Sequence, residues 1–247
     1  MIKIIKLSFS MFKNLLLSKN NIIGVSISFL YSLLWILLIH PKQYSVLNYT
    51  IEYFRLLYIL ILYLSFQLLD VDVKNNIHIN LFTGVFTRIE IIISKFISLI
   101  FMGIYFALIG EVNNLMVCLL AKNGFGIESF LKINHVNFLL SIIIIIFTMG
   151  SLCLLILSCK LKSTTILTIC TVFLSALNFS NALLVSRIEF QHYPITPVIN
   201  MYKITPLYLT TNLMMQFNLS NCILYLGWGG LLFFCLFSVI MSKKEIN

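Results

Sequence analysis

The sequence predicts an all-α integral membrane protein with six transmembrane helices, an N-terminal amphipathic helix at the membrane interface, and both termini in the cytoplasm. Hydrophobic residues make up 60% of the 247 residues and charged residues only 10%, and the mean hydropathy is +1.01. Soluble domains are about one quarter charged, so this chain has too few ionised groups to cover a water-soluble globule. The same apolar content excludes a disordered chain.

Long apolar runs mark the predicted spans. They cover residues 22–39, 56–69, 96–120, 138–157, 164–185 and 223–241. A bilayer needs about 20 apolar residues per helix, and backbone amides have no water partner in lipid, so each run is predicted to be a helix. We therefore expect residues 1–247 to form a single transmembrane domain.

The distribution of basic residues predicts the orientation. Lysine and arginine are more frequent in the N-terminal segment, in loop 70–90, in the turn with Lys160 and Lys162, and in the C-terminal tail than in the other loops. Loops with an excess of basic residues are cytoplasmic. Both termini are therefore predicted to be cytoplasmic.

The segment 1–20 has a polar stripe and a broad apolar face. Lys3, Lys6, Ser10 and Lys13 recur at steps of three and four residues, and apolar residues fill most of the other positions. A helix of this kind lies in the headgroup layer with its lysines toward anionic lipid. We expect it either to anchor the chain or to transmit movement from a cytoplasmic partner into the first span.

The loop 70–90, between the second and third predicted spans, contains both aspartates of the chain and alternates polar with apolar residues. This pattern is typical of a short amphipathic helix that docks on the protein or on a partner. Lys95 follows at the entry of the third span, and its long side chain is expected to reach back to the membrane interface.

The residue order in this loop resembles the permease subunits of the ABC type 2 transporter family. The residues concerned are Asp70, Asp72, Lys74, Asn75, Asn76, Thr83, Gly84, Thr87 and Arg88. The family typically has a glutamate, a glycine and a Pro-(Ser/Thr)-Arg sequence before a lysine at the start of the third span. Here an aspartate stands where the glutamate would be, Asn75-Asn76 stands where Lys-Gly is common, and no proline precedes Thr87. The amphipathic N-terminal helix and the six spans extend the resemblance over the whole chain.

This resemblance implies a coupling helix in the loop 70–90 that docks on a cytoplasmic ABC ATPase. The chain has no Gly-x-x-x-x-Gly-Lys-Ser/Thr phosphate loop, so ATP and Mg²⁺ are expected on separate ATPase subunits and the chain itself is not expected to be an enzyme. The resemblance also implies a bacterial cell membrane and a second permease, identical or paralogous, in contact through the first and fifth spans. The Pro-containing outer segment 187–216 would form short re-entrant helices that cap the permease.

Small polar residues in the fifth predicted span repeat on one helix face. They are Thr164, Thr168, Thr171, Ser175 and Asn178. Such a stripe forms a packing face within the chain, a contact between two permeases, or a substrate groove.

Glu111 is placed in the outer part of the third span, about 24 Å along the helix from Lys95. An acid at this position is expected to face a polar cavity or to be protonated, and not to pair with Lys95. We expect it to be a structural or lateral-gate group, with substrate contact as the alternative. No further acid is predicted within another span, which argues against a proton relay.

The remaining chemistry is predicted to be absent. The four histidines fall in different loops or span ends without a cysteine partner, so neither a metal site nor a catalytic residue is predicted. The net charge of +9 is dispersed along the membrane boundaries, so no nucleic-acid partner is expected.

These features predict the membrane-spanning subunit of an ATP-driven exporter. The Ile- and Phe-rich spans look most like bacteriocin-immunity permeases, which expel lantibiotic-type peptides. The alternatives are an ABC permease for another amphipathic peptide, a drug or a lipid, and a non-transporting polytopic anchor or sensor. A membrane-embedded enzyme would need polar groups that converge at one membrane face, and only the loop 70–90 approaches this.

Overall fold

The computed structural model describes residues 2–74, 86–122, 124–159, 164–190 and 196–243. Every regular element in these ranges is helical, and six helices are long and apolar enough to cross a membrane. The prediction of an all-α protein with six apolar spans is therefore confirmed. The cytoplasmic position of the termini stays a prediction.

Eleven α-helices are numbered here in chain order over the described residues. They are α1 (Ile2–Leu16), α2 (Lys19–Leu34), α3 (Val46–Lys74), α4 (Arg88–Leu120), α5 (Gly126–Leu131), α6 (His135–Ser158), α7 (Thr164–Phe190), α8 (Pro197–Lys203), α9 (Pro206–Gln216), α10 (Cys222–Leu226) and α11 (Phe234–Lys243). A π-helical turn, Trp35–Ile39, extends α2, and another, Gly227–Phe233, joins α10 to α11. The six spans are α2, α3, α4, α6, α7 and the composite helix α10–α11.

Three spans form the centre of the bundle and three lie at its edge. In the most apolar stretch of each span, 67% of the α3 and α6 residues and 56% of the α4 residues are buried, against 17% for α2, 33% for α7 and 22% for α10–α11. The edge spans expose large aliphatic side chains such as Leu30 and Leu183. Lipid tails are as apolar as these side chains, so such faces are stable inside a bilayer.

Glycines allow the central helices to approach closely. A Cβ atom on Gly229 would lie 2.3 Å from Thr148 Oγ1 and 2.9 Å from Thr148 Cα, and one on Gly103 would lie 3.0 Å from Ile143 Cα. A larger residue at either position would push two backbones apart. The last span and α4 therefore pack against α6 at glycine contacts.

The second and third spans are longer than their apolar runs. The run predicted at 56–69 belongs to α3, which has 29 residues, and the run predicted at 96–120 belongs to α4, which has 33 residues. The first turns of α3 contain Thr50, Glu52 and Arg55, which lower the hydropathy of that stretch. Since Thr50 and Glu52 are buried on the bundle side, packing rather than apolar character keeps this stretch helical.

The predicted N-terminal helix is present as α1, and it packs along the first half of α4. The side chain of Met11 accepts a hydrogen bond from Ser94 at 3.7 Å, whereas the ring of the next residue, Phe12, lies 6.0 Å from that of Tyr105. Ser94 and Tyr105 are about 16 Å apart along α4. Lys3, at the start of α1, lies close enough to Glu90 in the first turn of α4 to act on its charge. α1 therefore runs along the first half of α4.

The helix α1 has three different faces. Ser8 and Leu15 are buried against the bundle, while Ile5 and Phe9 beside them are exposed and apolar. A third face carries the exposed polar residues of the predicted stripe, Lys3, Lys6, Ser10 and Lys13. A helix with one protein face, one apolar face and one basic face suits a membrane interface.

The position of α1 provides a level along α4. Ser98 Oγ donates a hydrogen bond to the Ser8 carbonyl at 3.0 Å. From Ser98 to Leu120 the helix rises about 33 Å, close to the roughly 30 Å of a hydrocarbon core. The stretch from Arg88 to Ser98 adds about 15 Å and lies beside the first turns of α1, since Lys3 is close to Glu90.

Two prolines begin two of the short helices in the outer segment 187–216. Pro197 and Pro206 stand in the first turns of α8 and α9, and the hydroxyls of Thr196 and Thr205 cap these helices. Proline has no amide hydrogen and fits a first helical turn. The division into short helices is as predicted at these two positions, and Pro194 lies outside the described residues.

Candidate functional site

The loop 70–90 lies between the ends of α3 and α4 and is described only at its margins. Asp70, Asp72 and Lys74 belong to the last turns of α3. These three residues therefore extend a long helix and do not form a separate short helix. Thr87 and Arg88 stand at the start of α4. The other predicted coupling residues, Asn75, Asn76, Thr83 and Gly84, lie outside the described residues.

A capping box fixes the start of α4. Thr87 Oγ1 accepts a hydrogen bond from the Glu90 amide at 3.3 Å, and the Thr87 amide donates to Glu90 Oε2 at 2.7 Å. This reciprocal pair satisfies two amides that a helix start leaves unpaired. Arg88 therefore belongs to a well-defined first turn.

Lys95 is buried, and this corrects the expectation that its side chain reaches the interface. It is 1% exposed, and its Nζ donates a hydrogen bond to the backbone carbonyl of Leu68 in α3. An ammonium group is costly to bury without hydrogen-bond acceptors. Lys95 therefore connects α4 to α3 near the ends that carry the loop 70–90.

A chain of hydrogen bonds links four elements at the opposite end of α4, and we call it the buried polar network. Its members are Ser32, Thr50, Glu111, Asn113, Asn114 and His135. Ser32 Oγ donates to Asn113 Oδ1 at 2.6 Å, Asn113 Nδ2 donates to Thr50 Oγ1 at 3.4 Å, and Thr50 donates to Asn114 Oδ1. Since Ser32, Thr50, Asn113 and Asn114 are at most 1% exposed, each bond replaces one that water cannot supply.

Glu111 lies at the more accessible end of this network. Its Oε2 accepts from Asn114 Nδ2 at 3.1 Å, and its Oε1 lies 2.9 Å from His135 Nδ1 at the start of α6. The expected polar surroundings are therefore present and consist of protein groups. Its partners are Asn114 and His135, and sequence reasoning did not identify His135.

Glu52 corrects the prediction that no other span contains an acid. It lies inside the α3 span and is 3% exposed. Arg55 NH1 lies 3.1 Å from its Oε2, and the Tyr44 hydroxyl donates to its Oε1 at 3.4 Å. Burial and the nearby Glu52 carboxylate raise the pKa of Tyr44. The spacing of Glu52 and Arg55, three residues apart, was the signal in the sequence.

The polar stripe of α7 packs within the chain along the middle and the C-terminal part of the helix. Thr171, Ser175 and Asn178 are buried, Thr168 is exposed, and the side chain of Thr164 lies outside the description. Asn178 Oδ1 accepts from Thr211 Oγ1 of α9 at 2.9 Å.

The stripe continues one turn beyond the predicted residues, to Asn181. Asn181 Nδ2 donates to Thr211 Oγ1 at 2.6 Å and to the Leu207 carbonyl at 2.8 Å. Asn181 is three residues after Asn178, so the same spacing could have included it. This part of the stripe therefore holds α9 against α7.

Another ion pair lies where α7, α8 and α9 meet. Lys203 Nζ lies 3.0 Å from Glu189 Oε1, and the Tyr208 hydroxyl donates to the same carboxylate. Burial and this hydrogen bond raise the pKa of Tyr208 well above its ordinary value. The C-terminal ends of α7 and α8 and the first turn of α9 are thus joined by an ion pair and a phenol.

These arrangements position helices and contain no recognisable reaction centre in the described part of the chain. Within those residues no three His, Cys, Asp or Glu side chains are placed to hold a metal ion. No protein-family model matches the sequence, and no curated protein matches it.

Proposed function

We propose that this chain is the membrane-spanning subunit of an ATP-driven exporter of the ABC type 2 class, with ATP hydrolysis on a separate subunit. The observation that carries the proposal is the length of α3 and α4. Both exceed the roughly 20 residues that a bilayer requires, by about 14 Å for α3 and about 20 Å for α4. The loop 70–90 joins their ends, which makes it a suitable docking element for a cytoplasmic ATPase.

The contacts around this end are suited to transmit force. Lys95 holds α4 to the carbonyl of Leu68 in α3, and Ser98 holds α4 to α1. Closely packed helices move as bodies rather than deform. In the proposed cycle, closure of the ATPases on ATP pushes the loop 70–90, and α3, α4 and α1 move together and open a path for the cargo.

The proposed cargo is a lantibiotic or a similar amphipathic peptide. This step depends on the resemblance of the Ile- and Phe-rich spans to bacteriocin-immunity permeases. A peptide that inserts into the membrane can enter laterally, and the edge spans present apolar surface to such a molecule. The cargo would be expelled from the outer leaflet or the membrane core.

The partner is tested by purification of the full chain from its native membrane in mild detergent. We expect an ATPase subunit with a Gly-x-x-x-x-Gly-Lys-Ser/Thr loop to co-purify, identified by mass spectrometry, together with Mg²⁺-dependent ATP hydrolysis. Asp72→Asn and Arg88→Gln should reduce co-purification. Lys122→Gln, which changes an exposed lysine beyond the other end of α4, serves as the control.

Two results would contradict this assignment. One is the absence of any ATPase from the purified material. The other is equal ATPase recovery for Asp72→Asn, Arg88→Gln and the control. Either result would favour a polytopic anchor or sensor over a transporter.

The cargo is tested separately in cells that produce the chain with its ATPase. The minimal inhibitory concentration of a lanthionine-containing peptide should rise, and the rise should be lost in Arg88→Gln. If ATPase co-purification is intact while no lanthionine peptide is tolerated better, the transporter class stands and the proposed cargo is wrong.

A further inference from the structure

A cleft opens on the surface between the C-terminal end of α7 and the short helix α8. Its volume is about 210 Å³, and it is lined by Leu184, Arg187, Ile188, Val198, Ile199 and Tyr202. Four of these side chains are aliphatic, and Arg187 carries the charge. The cleft is separate from the buried polar network and from the loop 70–90.

Arg187 lies at the end of a span, a level from which a basic side chain reaches the headgroups. It lies in the last turn of the span Thr168–Glu189, which rises about 31 Å and so ends near a boundary of the hydrocarbon core. Lys203, the last residue of α8, is paired with Glu189 at 3.0 Å. Among the described residues, no acidic side chain lies within salt-bridge distance of Arg187, so the cleft has a net positive charge.

The apolar walls of the cleft face outward. Leu184 is 50% exposed and Val198 is 73% exposed. In a membrane these side chains contact acyl chains, while the guanidinium group of Arg187 lies at the level of the headgroups. An occupant must therefore combine an anionic group with an apolar chain directly beneath it.

We propose that this cleft binds an anionic phospholipid, with the phosphate on Arg187 and an acyl chain along Leu184, Ile188 and Val198. A guanidinium group donates two parallel hydrogen bonds to a phosphate. Phosphatidylglycerol fits this charge because it carries a net negative charge. Phosphatidylcholine brings its own cation close to Arg187 and fits less well. The proposal does not depend on the transport function.

Native mass spectrometry of the detergent-purified full chain measures this binding. The probes are dioctanoyl phosphatidylglycerol, dioctanoyl phosphatidylcholine and inorganic phosphate. Wild-type protein should bind the phosphatidylglycerol more tightly than the phosphatidylcholine. Arg187→Gln should weaken phosphatidylglycerol binding about tenfold, as expected for loss of a hydrogen bond to a charged group, and Lys122→Gln should leave it unchanged.

A second variant keeps the test decisive if Arg187→Gln does not fold. Leu184→Glu places a carboxylate at an exposed position one turn before Arg187, where it would pair with the guanidinium group and repel phosphate. It should also weaken phosphatidylglycerol binding.

Three outcomes would overturn the proposal. They are equal phosphatidylglycerol binding in wild type and the folded cleft variants, equal affinity of wild type for the two lipids, and full displacement of the lipid by inorganic phosphate. The last outcome would indicate a site for a free anion.

Discussion

Glu111 is held from two sides, by Asn114 at 3.1 Å and by His135 at 2.9 Å. Together with His135 it forms the partly accessible end of a network whose four other members are almost fully buried. A carboxylate in this position stabilises the contact between α4 and the start of α6. At the scale of single residues, Glu111 therefore acts first as a structural group.

The strength of the Glu111–His135 contact is measured by a double-mutant cycle. With Glu111→Gln, His135→Gln and the double variant, we expect a coupling energy of roughly 0.5–1 kcal/mol, since both groups are partly exposed. Thermal and denaturant unfolding of the purified protein provide the free energies. The matched pair is Glu128 and Lys132, exposed in and beside α5 without a direct ion pair between them, which should show a smaller coupling of about 0.2 kcal/mol. Equal coupling in the two cycles would contradict a special role for Glu111.

Gly229 has a sharper steric requirement than its neighbours. Gly229→Ala places a Cβ 2.3 Å from Thr148 Oγ1, whereas a Cβ on Gly227 in the same π-helical turn meets nothing within 4 Å. We expect Gly229→Ala to lower the free energy of unfolding by about 1–3 kcal/mol, the usual cost of overpacking. Gly227→Ala should leave the melting temperature of the detergent-purified protein nearly unchanged. Similar melting temperatures for the two variants would show that the last span does not pack on α6 at this glycine.

At the scale of elements, the six spans could be predicted because each is a long apolar run. The limits of α3 could not be predicted, because Glu52 is a charged residue inside the span. It becomes compatible with a span only through its contacts with Arg55 and Tyr44. Lys95 shows the same limit, since its acceptor, the Leu68 carbonyl, comes from another helix. Hydropathy depends only on residue type, whereas these charged groups are stabilised by particular hydrogen-bond and ion-pair partners.

The joint between α1 and α2 depends on Asn21. It is 1% exposed, and its Nδ2 donates to the Leu16 carbonyl at 2.9 Å and to the Tyr105 hydroxyl at 3.0 Å. It therefore caps the end of α1 and holds the joint against α4. A hydrophobic side chain of similar size would lose both bonds.

Asn21→Leu should loosen α1 without unfolding the bundle. We expect amide hydrogen exchange in α1 to become about tenfold faster, which corresponds to the loss of one or two net hydrogen bonds. Exchange in α6 should not change. Asn14→Leu alters an exposed asparagine in α1 and is the control, so equal acceleration in both variants would show that Asn21 does not hold the joint.

At the scale of the whole molecule, the arrangement of α7 limits how two copies can meet. Its polar stripe faces α9 of the same chain through Asn178 and Asn181. The opposite face, with Val172 and Phe173, is exposed and apolar. If two permeases contact each other through the fifth span, the exposed face is the one available for that contact.

Neighbouring positions on α7 test this arrangement directly. Ala176 is exposed and Ser175 is 5% exposed, so a cysteine at 176 should cross-link two copies in the membrane, while one at 175 should not. The six native cysteines must first be replaced, because several are exposed. Cross-linked dimer is measured on non-reducing gels after mild oxidation. Cross-linking at 175 but not at 176 would mean that the stripe faces a second copy, and cross-linking at neither would move the contact between copies away from the fifth span.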